Sequence, residues 1–187
     1  MTARGRSWTL WGLALAVMLG SAVYPRLTGP THPKRGSLVH VGSSPRYRLV
    51  RSGTTDSAAR VVVPAPAGID GATLHWKRLG VDEPFAPVAM VREEDRWVGL
   101  LPVQPPAGKV EYYLTLDGLR VPEGEPVVLR YKDPVSAAVL IPHVLVMFLS
   151  MLVGVRAGLA ALFEPARARR LSLVTWGGLT LGGLVLG

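Results

Sequence analysis

The sequence predicts a membrane protein with an all-β soluble domain: a seven-stranded β-sandwich flanked by transmembrane α-helices. Apolar residues make up 49% of the 187-residue chain, yet they concentrate at its two ends. The uncharged runs are Trp8 to Tyr24, Val135 to Val155 and Leu171 to Gly187, and a hydrocarbon core of roughly 30 Å takes about 20 helical residues. Between them, short stretches rich in Val, Tyr, Trp and Leu are punctuated by Gly, Pro and Asp, the pattern of many short strands.

The net charge of +8 divides unevenly along the chain. Arg4 and Arg6 precede the first apolar run, and Arg156, Arg167, Arg169 and Arg170 stand against Glu164 alone between the second and third. Short Lys/Arg-rich segments beside apolar runs stay cytoplasmic. Residues 1–7 are therefore expected as a cytoplasmic tail and 156–170 as a basic cytoplasmic loop. The intervening soluble domain mixes its signs, so no nucleic-acid partner is expected. With no cysteine in the chain, disulfides, thiolate metal sites and cysteine nucleophiles are excluded.

Residues 8–24 read either as an uncleaved signal anchor or as a signal peptide cut near Gly20, Ser21 and Ala22; both readings export the soluble domain. Residues 25–45, rich in proline and glycine, read as a linker. Its His32 and His40 are expected to be solvated, because structural metal sites usually take four ligands. Strands are expected at Tyr47–Arg51, Arg60–Val63, Ala72–Leu79, Phe85–Val91, Arg96–Leu101, Lys109–Leu116 and Leu119–Tyr131, the last broken near Pro122. Asp117-Gly118 signals a tight hairpin, since both central positions need positive φ. Alternation turns Leu74 and Trp76 inward with His75 and Lys77 outward, and turns Val110, Tyr112, Leu114 and Leu116 inward on a later strand. Trp76, Val98, Leu100, Tyr112 and Leu114 are the expected core. Seven strands with no helices between them favour a sandwich over a parallel sheet.

Residues 135–155 are expected as a transmembrane helix, and 171–187 as a further one. At about 1.5 Å per residue the last run reaches only about 25 Å, and it ends in Gly182-Gly183-Leu184-Val185-Leu186-Gly187 without an interfacial anchor. The expectation is a truncated helix in a chain continuing beyond Gly187; the alternative is a shortened helix in a thinned bilayer.

Trp76 on the third strand, and Gly108-Lys109-Val110-Glu111-Tyr112-Tyr113-Leu114 with its corner tyrosine, resemble immunoglobulin-like and fibronectin type III-like modules over residues 46–133. The missing cysteines favour the fibronectin-like or bacterial Ig-like variants. With Val128 to Pro134 running into Leu140 to Phe148, the layout also resembles uncharacterised bacterial multi-pass membrane proteins with an exported Ig-like domain. That resemblance implies an inner-membrane location and a periplasmic domain. It implies no activity, because sandwich folds host unrelated functions.

His143, within the second run beside Pro142, is a candidate functional residue because ionisable groups at membrane depth are costly. It is read as a hydrogen bond to another helix or to the carbonyl freed by Pro142, as a polar site shared with helices or partners, or as a haem or metal ligand. Gly178, Gly182, Gly183 and Gly187 are spaced for close helix packing. Phe85, Trp97, Tyr112 and Tyr113 are either core or the lining of a carbohydrate- or peptide-binding groove, and Glu93, Glu94 and Asp95 either a solvated turn or a calcium site. No P-loop, H-E-x-x-H, G-x-S-x-G or dinucleotide glycine pattern occurs. The expectation is a non-enzymatic, membrane-tethered module without catalytic, cofactor or metal residues. Its partners are the lipid bilayer and another membrane or periplasmic protein, or a second copy. The alternatives are a component of a transport or redox membrane complex centred on His143, and ligand capture by the sandwich.

Overall fold

The computed structural model describes residues 3–38 and 44–186, which fall into two units: Gly29–Pro134, and the helical segments on either side of it. The first unit is β-rich. Its strands are β1 (Lys34–Ser37), β2 (Arg46–Leu49), β3 (Ser52–Thr54), β4 (Ala59–Pro64), β5 (Ala72–Arg78), β6 (Ala86–Ala89), β7 (Val91–Glu93), β8 (Arg96–Leu101), β9 (Lys109–Leu116), β10 (Leu119–Val121) and β11 (Val127–Lys132). β1 and β2 form a two-stranded ribbon, and β4-β8-β7 form a three-stranded sheet. A six-stranded sheet runs β3-β11-β9-β5-β6, with β10 also paired to β9.

Local chemistry explains the breaks. Asp117 and Gly118 both adopt positive φ in the β9–β10 turn, and the Asp117 carboxylate accepts from the Asp70 and Gly71 amides, each at 2.8 Å. The stretch expected as one strand from Phe85 to Val91 divides at Met90, β6 pairing with β5 and β7 with β8. The run from Leu119 divides at Pro122, which has no N–H for a ladder. Part of the expected linker 25–45 is ordered structure: α1 extends to Thr28, and Lys34–Ser37 is a strand held by β2.

Residues of both larger sheets meet in one core, among them Val61 and Val63 of β4, Leu74 of β5, Trp97 and Leu101 of β8, and Tyr112 and Leu114 of β9. Two expected core members move. Leu100 is 53% exposed, because Trp97, Gly99 and Leu101 face the core along β8. A Cβ on Gly99 would meet Leu74 at 3.0 Å. Trp76 is only partly buried and packs at the core margin, so Trp97 is the tryptophan of the interior. Val98 is buried, outside the main core cluster.

The helical unit comprises α1 (Ala3–Thr28), α2 (Ala137–Phe163), α3 (Pro165–Thr180) and a π-helical turn at Leu181–Val185. Two helices, Gly5–Thr28 and Ala137–Phe163, are long and apolar enough to cross a membrane. Ser136 caps α2, its hydroxyl accepting from the Ala138 amide. The expected loop 156–170 is instead helical except at Glu164. Pro165 disfavours helical geometry in the residue before it and is itself suited to the first position of a helix. α2 therefore stops and α3 starts within one residue.

Candidate functional site on the outer face of the six-stranded sheet

The inward residues of β5 and β9 fix what those strands show outside. Leu74 and Leu114 face each other across the pair, as do Trp76 and Tyr112, so the intervening His75 and Tyr113 oppose one another on the other face. Their rings stack with centroids 4.7 Å apart and planes 9° from parallel. His75 Nε2 lies 3.0 Å from the Thr115 hydroxyl. Phe85 meets Tyr113 edge-on at 5.0 Å, and the Lys77 ammonium sits 5.1 Å from the Phe85 ring centre. From β10 the Arg120 guanidinium lies over the Tyr113 ring at 4.2 Å. Lys77 pairs with Glu111 at 3.1 Å, whereas Arg120 makes no ion pair among the described residues.

Arg120 also joins this cluster to a cavity of about 500 Å³ lined by Leu38, Tyr47, Ile69, Leu119 and Glu123. Burial, reinforced by the Glu123 carboxylate, pushes the Tyr47 hydroxyl pKa up. Aromatic faces thus stand beside a guanidinium that makes no ion pair among the described residues, with a hollow adjoining them.

The four aromatic residues singled out from the sequence divide between inside and outside. Tyr112 is in the core, its hydroxyl donating to the Val50 carbonyl at 2.8 Å, and burial raises its pKa strongly. Trp97 is also interior, and its indole N–H has no hydrogen-bond partner among the described residues. Phe85 and Tyr113 belong to the outer cluster. Glu93, Glu94 and Asp95 form the β7–β8 turn: Glu93 pairs with Arg60, Glu94 adopts positive φ, and the Asp95 carbonyl accepts from the Ala65 amide. His40 lies outside the described residues, and no group of three or more potential metal ligands converges among those described, His32 included.

In the helical unit, His143 Nδ1 lies 2.8 Å from the Gly182 carbonyl and donates to it. That carbonyl is available because the Leu186 amide, its α-helical partner, bonds Leu181 in the π turn instead. The glycines differ among themselves. A Cβ on Gly178 would collide with the Ser150 hydroxyl, and one on Gly182 would come within 2.8 Å of Met147. Gly183 has nothing within 4 Å, and Gly187 lies outside the described residues. Gly178 of α3 and Gly182 of the π turn thus pack closely against α2, and Gly183 does not.

Nothing in the sequence pattern signals that Arg156 is only 1% exposed. It pairs with Glu164, which also meets Arg167 at 3.5 Å and Arg6 at 3.9 Å. The Trp11 ring centre is 5.7 Å from the Arg156 guanidinium. These arginines, Arg156 first, hold the Glu164 carboxyl below the usual carboxylate range. One carboxylate therefore ties together the ends of all three helices. No family model matches the chain, and no curated protein matches it.

Proposed function

We propose that this protein is a non-enzymatic adaptor of a bacterial inner membrane, holding an Ig-like, fibronectin-like β-sandwich on the periplasmic side to dock a partner protein or a second copy of itself. The carrying observation is the outer cluster of His75, Phe85, Tyr113 and Arg120, in which aromatic anchors surround a guanidinium without a carboxylate. Support for the sandwich reading comes from the two larger sheets, β3-β11-β9-β5-β6 and β4-β8-β7, whose residues share one core, from the parallel β3–β11 pair, and from the Tyr112 hydrogen bond to Val50. Support for the topology comes from the two long apolar helices and the arginines at their ends.

The contact is tested by placing a photo-crosslinking residue at position 85 or 113 of the full-length protein in its native membrane, with the exposed Val91 of β7 as control. A discrete crosslinked species from 85 and 113, absent at 91 and lost with Arg120→Ala, is expected. Equal labelling from all three positions, or none, overturns the docking face. A cytoplasm-dependent reporter inserted at Gly118 should be inactive; activity there would overturn the exported placement.

A further inference from the structure

Several cations on the β-domain surface have a counter-charge: Arg60 with Glu93, Lys77 with Glu111 and Arg78 with Glu83. The β1–β2 ribbon concentrates arginines that lack one among the described residues. Arg35 and Arg48 are directly opposed in register, and both are exposed along with Arg46. Like charges facing each other destabilise a strand pair, and none of the three arginines makes an ion pair among the described residues. Arg46 and Arg48 also line a hollow of about 390 Å³ together with Arg96, Val62 and Pro64, with Asp95 as its single acid. Three guanidinium groups around one carboxylate leave that hollow positive. The planar fork of arginine matches phosphate oxygens in pairs, which ammonium groups do not.

We propose that the hollow of Arg46, Arg48 and Arg96, with Arg35 beside it, binds the phosphate of an anionic lipid headgroup. The ribbon is the first element after α1, a helix long and apolar enough to cross a membrane. Only Gly29–Pro33 separate the two, and five extended residues reach at most about 18 Å. Covalent linkage therefore keeps β1 near a bilayer surface, where anionic headgroups attract basic residues within about a Debye length. The uncompensated repulsion between Arg35 and Arg48 is relieved when a phosphate neutralises it. This inference is independent of the docking face: it concerns different residues and a different class of ligand.

The native chain has no cysteine, so Ser37→Cys, on the exposed face of β1, gives a single site for an environment-sensitive fluorophore. The labelled full-length protein is placed in phosphatidylcholine nanodiscs containing increasing phosphatidylglycerol and a trace of headgroup-quencher lipid. Quenching should rise with phosphatidylglycerol and reverse in high salt. Arg46→Gln/Arg48→Gln should raise the phosphatidylglycerol content needed for half-maximal quenching, the apparent affinity falling by about fivefold per arginine, the equivalent of about 1 kcal/mol each. Arg46→Lys/Arg48→Lys, which keeps the charges, should shift it less and serves if the glutamine variant misfolds. Quenching that ignores phosphatidylglycerol overturns the proposal. So does a response in pure phosphatidylcholine discs to inorganic phosphate alone, which would assign a free phosphate site, or to polyglutamate, which would assign an acidic polypeptide.

Discussion

The two units treat charge in opposite ways. The β-domain keeps its ion pairs at the surface, where Arg78 and Glu83 meet at 2.8 Å, and fills its interior with Leu, Val and two tyrosines whose hydroxyls reach backbone carbonyls. The helical unit buries the Arg156 side chain and pairs it with Glu164 while leaving Leu184 82% exposed. Water solvates surface charges at little cost, so ion pairs there contribute little. A charge withdrawn from water is retained only when it is paired. The opposition makes charge removal expensive in one unit and nearly neutral in the other.

The sharpest break of that contrast is Glu164→Gln. It leaves the buried Arg156 guanidinium without its counter-charge, and orphaning a buried charge is strongly destabilising. The full-length protein in mild detergent should show a large drop in the thermal midpoint of its helical unit. Arg156→Met combined with Glu164→Gln should recover most of the loss, because a well-packed apolar replacement of both charges is often neutral. If Glu164→Gln leaves the midpoint unchanged, Arg156 is solvated and the contrast fails.

In the β-domain the comparable loss comes from apolar volume. Trp97→Ala removes an interior ring and should cost about 3 to 5 kcal/mol, while Trp76→Ala, at the core margin, should cost less. Intrinsic fluorescence melts of the two variants decide it: equal losses would contradict the burial difference between them. That difference also marks what the sequence conveyed. Along β9 every second residue from Val110 to Leu116 is apolar, so its inward face was legible, and Asp117-Gly118 announced its own turn. β8 reads Arg-Trp-Val-Gly-Leu-Leu, with apolar residues in both phases, and its inward face is decided only when Gly99 packs against Leu74. β1, composed of Lys, Arg, Gly and Ser, and β3, of Ser, Gly and Thr, have no hydrophobic period at all; partners recruit them. The outer cluster was half legible for a related reason. Alternation turned His75 outward and left Tyr113 between inward residues, but which residue faces which across strands is a matter of register, and Arg120 arrives from a strand of three residues.

A smaller effect separates the glycines of the α2–α3 seam. Gly178→Ala places a methyl against the Ser150 hydroxyl, and overpacking of this kind costs about 1 to 3 kcal/mol. Adding Ser150→Ala should restore part of it. Gly183→Ala, with open space around the position, should be neutral or slightly stabilising, since alanine favours helix over glycine. Detergent melts in which both glycine variants behave alike would mean that the seam does not set the packing of α3.

The smallest expected effect belongs to the surface pair that contrasts most directly with Arg156 and Glu164. The hydrogen bond from the Arg78 side chain, then that from its backbone amide, lowers the Glu83 pKa from 4.5 to about 2. A carboxyl whose pKa is lower folded than unfolded contributes stability that is fully present above the unfolded value and lost as pH falls through the folded one. The window therefore runs from about pH 4.5 down to about pH 2. Solvent reaches both side chains, so the contribution is screened and should shrink further as salt is raised. Other carboxyl groups titrate across the same range, so the informative quantity is the difference between the native protein and Glu83→Gln. The native protein's slightly higher thermal midpoint near neutral pH should fade as the pH is lowered through that window, and should be smaller throughout in high salt. A difference that stays constant with pH would mean that Glu83 acts through the shape of the β5–β6 turn, where Gly80 holds positive φ, and not through its charge.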